Sequence, residues 1–176
     1  MDCEYGKTMA RAMQAIRDMH SDCIQLFRDV DREMKDYKSV YGNVVTQDLG
    51  SSITRRDYLA WGLFRVYARK GKEDKVLSIN ACFFDDKDPR LVEPIFAVAN
   101  VEYSTKMPDP KEKLDRAWDP WYAFFAWNKE QEFGKDIQID APSRAQVIKA
   151  TVAAVPLFSV SSLNAVLHLA DLVGRP

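Results

Sequence analysis

From residue 4 to about residue 41 the apolar positions Met9, Ala12, Ile16, Met19, Cys23, Phe27, Val30, Met34, Tyr37 and Tyr41 recur at steps of three and four. That spacing predicts one long amphipathic helix. No proline interrupts it, and Gly42 supplies a stop. Asp31 with Lys35 and Arg32 with Asp36 form i,i+4 pairs on the polar side. At 1.5 Å per residue such a helix is roughly 55 Å long, more than the diameter of a small domain. Part of its apolar stripe therefore overhangs and needs cover, from a second subunit or from the C-terminal helix.

The period then changes. Tyr58 to Ala68, Val76 to Phe84 and Pro94 to Ser104 are strand-length runs rich in aromatic and β-branched residues. "RKGKED" and "DDKDPRLVE" connect them, so an antiparallel meander is the simple topology. A proline- and charge-rich loop, "KMPDPKEKLDRAWDP", leads to an aromatic strand, "WYAFFAW" (Trp121 to Trp127). "IQID" precedes a last strand, Val147 to Val160, and Ser161 or Ser162 caps a final helix that Gly174 ends. The fold expected is α+β: a long N-terminal helix on an antiparallel meander of about five strands, then a short C-terminal helix. Residues 1–176 read as a single domain.

Parity along the strands sorts side chains onto two faces. With registers that keep like faces together, one face carries Gly62, Phe64, Val66, Leu77, Ile79, Ala81, Ile95, Ala97, Ala99 and Val101. Gly62, Ala81 and Ala97 then form a trough of small residues that seats the N-terminal helix. The other face is mixed: Arg65, Ser78 and Asn100 fall in one row with Glu102 a step away, beside an apolar row that includes Trp61. An Arg–Glu pair with Ser and Asn neighbours over an aromatic floor suits a small polar ligand. The alternative is a satisfied polar cluster under a loop.

Composition narrows the function classes. The chain has 176 residues, 47% hydrophobic and 29% charged, with a net charge of −1, so it lacks the field that recruits nucleic acid or an anionic membrane. The N-terminus has no apolar core of a signal peptide, and the most apolar stretch, "ATVAAVPLFSV", is too short to span a bilayer. Three cysteines without metal or redox spacing fit a reducing compartment. A cytoplasmic location is expected.

Catalytic motifs are sparse. His20 and Cys23 are three apart on the long helix, yet no further ligand completes a metal shell, and no glycine-rich phosphate loop or nucleophile motif occurs. The cluster Asp85, Asp86 and Asp88, followed by Glu102 on the next strand, resembles the catalytic hairpin of the PD-(D/E)xK nucleases. That resemblance would imply a magnesium ion held by these acids, with a lysine assisting the attacking water. It covers the hairpin alone, and "EYS" places Ser104 where the lysine belongs. Asp85 and Asp86 sit at the turn while Glu102 pairs near the far end, on the order of 25 Å away. The acidic tip reads as a solvated turn.

The residues therefore favour a non-enzymatic domain that works through a protein partner or a small polar ligand, with no metal assigned and the cofactor unknown. Arg65, Ser78, Asn100, Glu102 and Trp61 are the ligand candidates. An enzyme using a polar cavity around Arg65 and Glu102 is the alternative. A homodimer is expected, built on the helix through Phe27 and Val30, on the aromatic strand through Trp121 and Trp127, or on both, since surplus aromatic area makes good anchors.

Overall fold

A computed structural model describes residues 3–40, 46–47, 62–83, 92–104, 124, 132–140 and 147–176. Trp61, Trp121, Trp127 and the acidic turn 85–88 lie outside the described residues. The chain is α+β, with a long helix α1 (Cys3–Glu33), a sheet of antiparallel strands and a short helix α2 (Leu163–Leu172). The strands are β1 (Tyr37–Ser39), β2 (Thr46–Gln47), β3 (Gly62–Arg69), β4 (Lys72–Cys82), β5 (Ile95–Tyr103), β6 (Asp136–Asp140) and β7 (Val147–Pro156). They lie in the order β1-β3-β4-β5-β7-β6, with β2 also pairing with β3.

α1 ends at Glu33, not near residue 41, and Tyr37 opens an edge strand paired with Arg69. Tyr37 and Tyr41 are four apart, a spacing that satisfies a period of two as well as one of 3.6. Pairing with β3 and a hydrogen bond from the Tyr37 hydroxyl to the Pro176 carbonyl decide between them. β4 starts four residues earlier than expected, because Gly71, at φ 84°, closes a tight β3–β4 turn. The pure meander also needs correction. β7, the later strand, neighbours β5, and "IQID" becomes β6 at the sheet edge. In place of a strand residue, Phe124 is helical.

The registers correct the face assignment. Leu63 pairs with Ala81, Arg65 with Ile79 and Tyr67 with Leu77. Ala81 in turn pairs with Phe96, Ile79 with Val98 and Leu77 with Asn100. One face thus joins Leu63, Arg65 and Tyr67 to Leu77, Ile79, Ala81, Phe96, Val98 and Asn100. Its core takes Cys23, Phe27, Val30 and Met34 from and just after α1, and Val166, Leu169, Ala170 and Val173 from and just after α2. The opposite face carries Val66, Ser78, Asn80, Cys82, Ala97, Ala99, Val152 and Ala154, and the buried Phe124 belongs to its core. The expected trough is absent: Gly62 pairs with Cys82, Ala81 with Leu63, and Ala97 with Asn80 and Ala154.

A shift of one residue exchanges the faces of a strand. Here both faces are apolar and covered, so parity alone does not mark which residues of adjacent strands belong together. Gly62 is still required to be small, for another reason. A Cβ there would lie 2.7 Å from the Ala81 carbonyl oxygen, against neighbouring backbone.

α2 is closed by a Schellman motif. Gly174, at φ 71°, donates its N–H to Asp171, and Arg175 donates to Ala170 at 3.1 Å. Ser162 is the N-cap, although its side chain makes no capping hydrogen bond.

Candidate functional site

The described ligand candidates Arg65, Ser78, Asn100 and Glu102 engage different partners. Arg65 is buried on the α1 face, where Nε donates to Asp31 Oδ1 at 2.7 Å and Nη2 to Oδ2 at 2.6 Å. The Tyr67 hydroxyl donates to the same Oδ1 at 2.7 Å. Asp31 sits in the last turns of α1, so this bidentate clamp fastens the helix to the sheet. It replaces the expected pairing of Asp31 with Lys35. Burial by itself would lower the Arg65 pKa, but the hydrogen bonds and charge of Asp31 outweigh it and raise the value. Burial, then the hydrogen bond to and charge of Asp31, push the Tyr67 phenol well above its usual range.

Asn100, on the same face, donates to the carbonyls of Val173 and Gly174 and so holds the end of α2. Glu102 bridges Lys75 at 3.3 Å and Lys149 at 3.5 Å, the lysines being those that face it across β4 and β7. Ser78 lies on the opposite face, where its Oγ accepts a 3.0 Å bond from Asn80 Nδ2. The sheet therefore separates Ser78 from Arg65 and Asn100. Phe27 and Val30, expected at a subunit seam, are 0% exposed within the chain and belong to its internal core.

His20 and Cys23 turn toward the core on α1. The His20 ring stacks on Phe83 with centroids 4.4 Å apart, and burial lowers its pKa from the ordinary 6.5. Burial first, and the charge of Asp22 second, push the Cys23 thiol up to about 11, so it stays protonated at neutral pH. Among the described residues no group of three or more His, Cys, Asp or Glu side chains could hold a metal ion. Nor is any described helix long and apolar enough to cross a membrane.

Among the described residues a concave feature lies elsewhere, in a groove of about 710 Å³ between the middle of α1 and the chain entering α2. Its apolar lining comes from Met19 and Leu26 of α1 facing Leu157, Val160 and Leu163. Phe158, 73% exposed, stands at its lip. Asp18, Asp22 and Asp29 form an acidic wall on the α1 side. Asp18 accepts from Gln14 at 2.7 Å, and Asp29 is engaged by Gln25 and, at 2.8 Å, by Arg32. The groove follows from geometry: α1 seats on Cys23, Phe27 and Val30, which turns its Asp18–Asp22–Asp29 flank sideways. A 3-10 turn at Leu157–Ser159 then carries the chain across β7's end to face that flank.

Sequence reasoning missed this site because it joins residues more than a hundred apart. A local signal did exist: the 18, 22, 25, 29 positions form a polar row directly beside the core stripe. No protein-family profile, curated protein or solved structure matches the chain.

Proposed function

We propose that this protein is a binding module that receives a basic, amphipathic helical segment in the groove between α1 and residues 157–163. The observation that carries this reading is the pairing of an apolar floor with an acidic wall in one groove. Helix-in-groove recognition uses such a surface: the floor takes apolar anchors at i, i+3 or i+4 spacing, while the wall selects charge. The exposed Phe158 adds an aromatic contact at the rim, the kind of residue that becomes an anchor once a partner excludes water around it.

The expected polar-ligand and enzyme readings centred on Arg65 and Glu102 draw no support from the contacts of these residues. Arg65 is taken up by Asp31, Asn100 by the end of α2, and Glu102 by two lysines. Each of these contacts fastens one element to another.

The test is a fluorescence-anisotropy titration of a labelled leucine–lysine amphipathic helical peptide against the protein. Saturable binding is expected, and it should be lost in the Asp18→Lys/Asp22→Lys variant. An acidic peptide of the same apolar pattern should not bind. Absence of binding by the basic peptide, to the wild type and to the Lys7→Glu/Arg11→Glu variant alike, would overturn the reading.

A further inference from the structure

A second exposed apolar surface among the described residues is on the same helix. From Glu4 to Ala15 every residue of α1 is exposed, and Tyr5, Met9 and Met13 are 59%, 48% and 47% accessible. This stripe continues the line of Cys23, Phe27 and Val30 beyond the sheet. The segment from Glu4 to Arg17 is basic, with a net charge of +2 from Lys7, Arg11 and Arg17 against Glu4. It is thus a basic amphipathic helix, the class of segment the groove suits.

We infer that the N-terminal arm of α1 from one copy of this chain occupies the groove of a second copy, and that the exchange is reciprocal. The inference rests on the proposed use of the groove and names its occupant. A single chain does not satisfy itself, because arm and groove wall are successive parts of one continuous helix and the arm cannot fold back onto its own wall. Two copies do so through a two-fold axis, the commonest symmetry of soluble oligomers.

Charge spacing supports the pairing. Lys7 and Arg11 are four residues apart, as are Asp18 and Asp22. With the two α1 helices antiparallel about an axis near Gln14, Lys7 comes level with the partner copy's Asp22 position and Arg11 with its Asp18 position simultaneously. Their long stems reach over the helix flank while Tyr5 and Met9 settle on the apolar floor. Each arm is about 18 Å long and 10 Å wide. Two arms and two grooves together bring the buried surface to the order of the 1,000 Å² that a specific interface needs.

The experiment is sedimentation equilibrium on the full chain and two charge-reversed variants. Wild type should approach twice the 20.2 kDa chain mass as concentration rises. Lys7→Glu/Arg11→Glu and Asp18→Lys/Asp22→Lys should each remain folded by circular dichroism and run at half the dimer mass. All four positions are on the exposed surface, so folding is retained. Mixed in equal amounts, the two variants should recover the dimer mass, because each reversed arm then meets a complementary groove. A wild-type chain that stays at 20.2 kDa overturns the inference; so does a dimer that either reversal leaves intact, or a mixture that fails to associate. Binding of the leucine–lysine peptide by a wild type that never dimerises would discard the second copy as occupant while leaving the groove's use standing.

Discussion

The two halves of α1 carry the same apolar rhythm and meet different surroundings. In the C-terminal half, Cys23, Phe27 and Val30 are buried against the sheet, and Asp31 is clamped by Arg65 and Tyr67. In the N-terminal half, Tyr5, Met9 and Met13 occupy equivalent turns and are exposed. Periodicity thus tells which side of a helix is apolar and is silent on what covers it. The covering is set by the sheet's width: each strand adds about 4.8 Å, and a 31-residue helix is about 46 Å long.

The largest expected effect comes from trimming equivalent positions in the two halves. Phe27→Ala removes a fully buried ring that lies 6.4 Å from Phe96, and should cost about 3–5 kcal/mol of folding stability. Met9→Ala, placed in the Lys7→Glu/Arg11→Glu background where the arm has no groove to enter, should change stability by less than about 0.5 kcal/mol. Urea denaturation of both variants measures the contrast. Equal losses would mean that the arm is covered by its own chain.

The second contrast concerns the clamp that only one half possesses. Asp31→Asn keeps the side-chain size but leaves the buried Arg65 guanidinium without its carboxylate. Breaking a buried pair typically costs about 3–5 kcal/mol, and Asp31 is 35% exposed, so about 2 kcal/mol is expected here. Replacing both partners, Asp31→Leu with Arg65→Met, should recover part of that loss, since no charge is then left stranded. A double mutant no more stable than Asp31→Asn would show that the clamp acts through geometry other than charge pairing. Glu4→Gln, in the arm, should be near neutral in the same assay.

The sequence was most legible where a single period ran through many residues. The α+β class, the long first helix and the β3–β4–β5 succession all followed from such runs. So did the short last helix with Gly174 as its stop. The candidate site was far less legible. Arg65, Asn100 and Glu102 did fall on one face, but Ser78 fell on the other, because its strand's neighbours were offset by one residue and both faces are apolar. What Arg65 binds depends on Asp31, thirty-four positions away on a different element, and no local pattern marks that pair. The groove depends on how far a 3-10 turn carries residues 157–159 toward α1, a tertiary consequence without a motif. Phe27 and Val30, expected at a subunit seam, are buried within the chain, whereas Tyr5, Met9 and Met13 nearer the N-terminus are exposed.

The smallest expected effect probes the boundary between the halves, where His20 stacks on Phe83. Burial lowers the folded-state pKa of His20 below the 6.5 of an exposed imidazole, so the folded chain favours the neutral ring. As the pH falls through about 6.5, the unfolded chain binds a proton that the folded chain still resists. His20 therefore supports the fold fully above that pH, and its contribution declines as the pH drops toward the lowered folded value. Because the ring is only half-buried, the decline should amount to a few degrees at most in melting temperature. His20→Phe keeps a planar ring against Phe83 and removes the proton site, so its melting temperature should change less than that of the wild type between about pH 7 and pH 5. Parallel melting curves for the two chains across that interval would place His20 in water, and would move the end of α1's covered half toward Cys23.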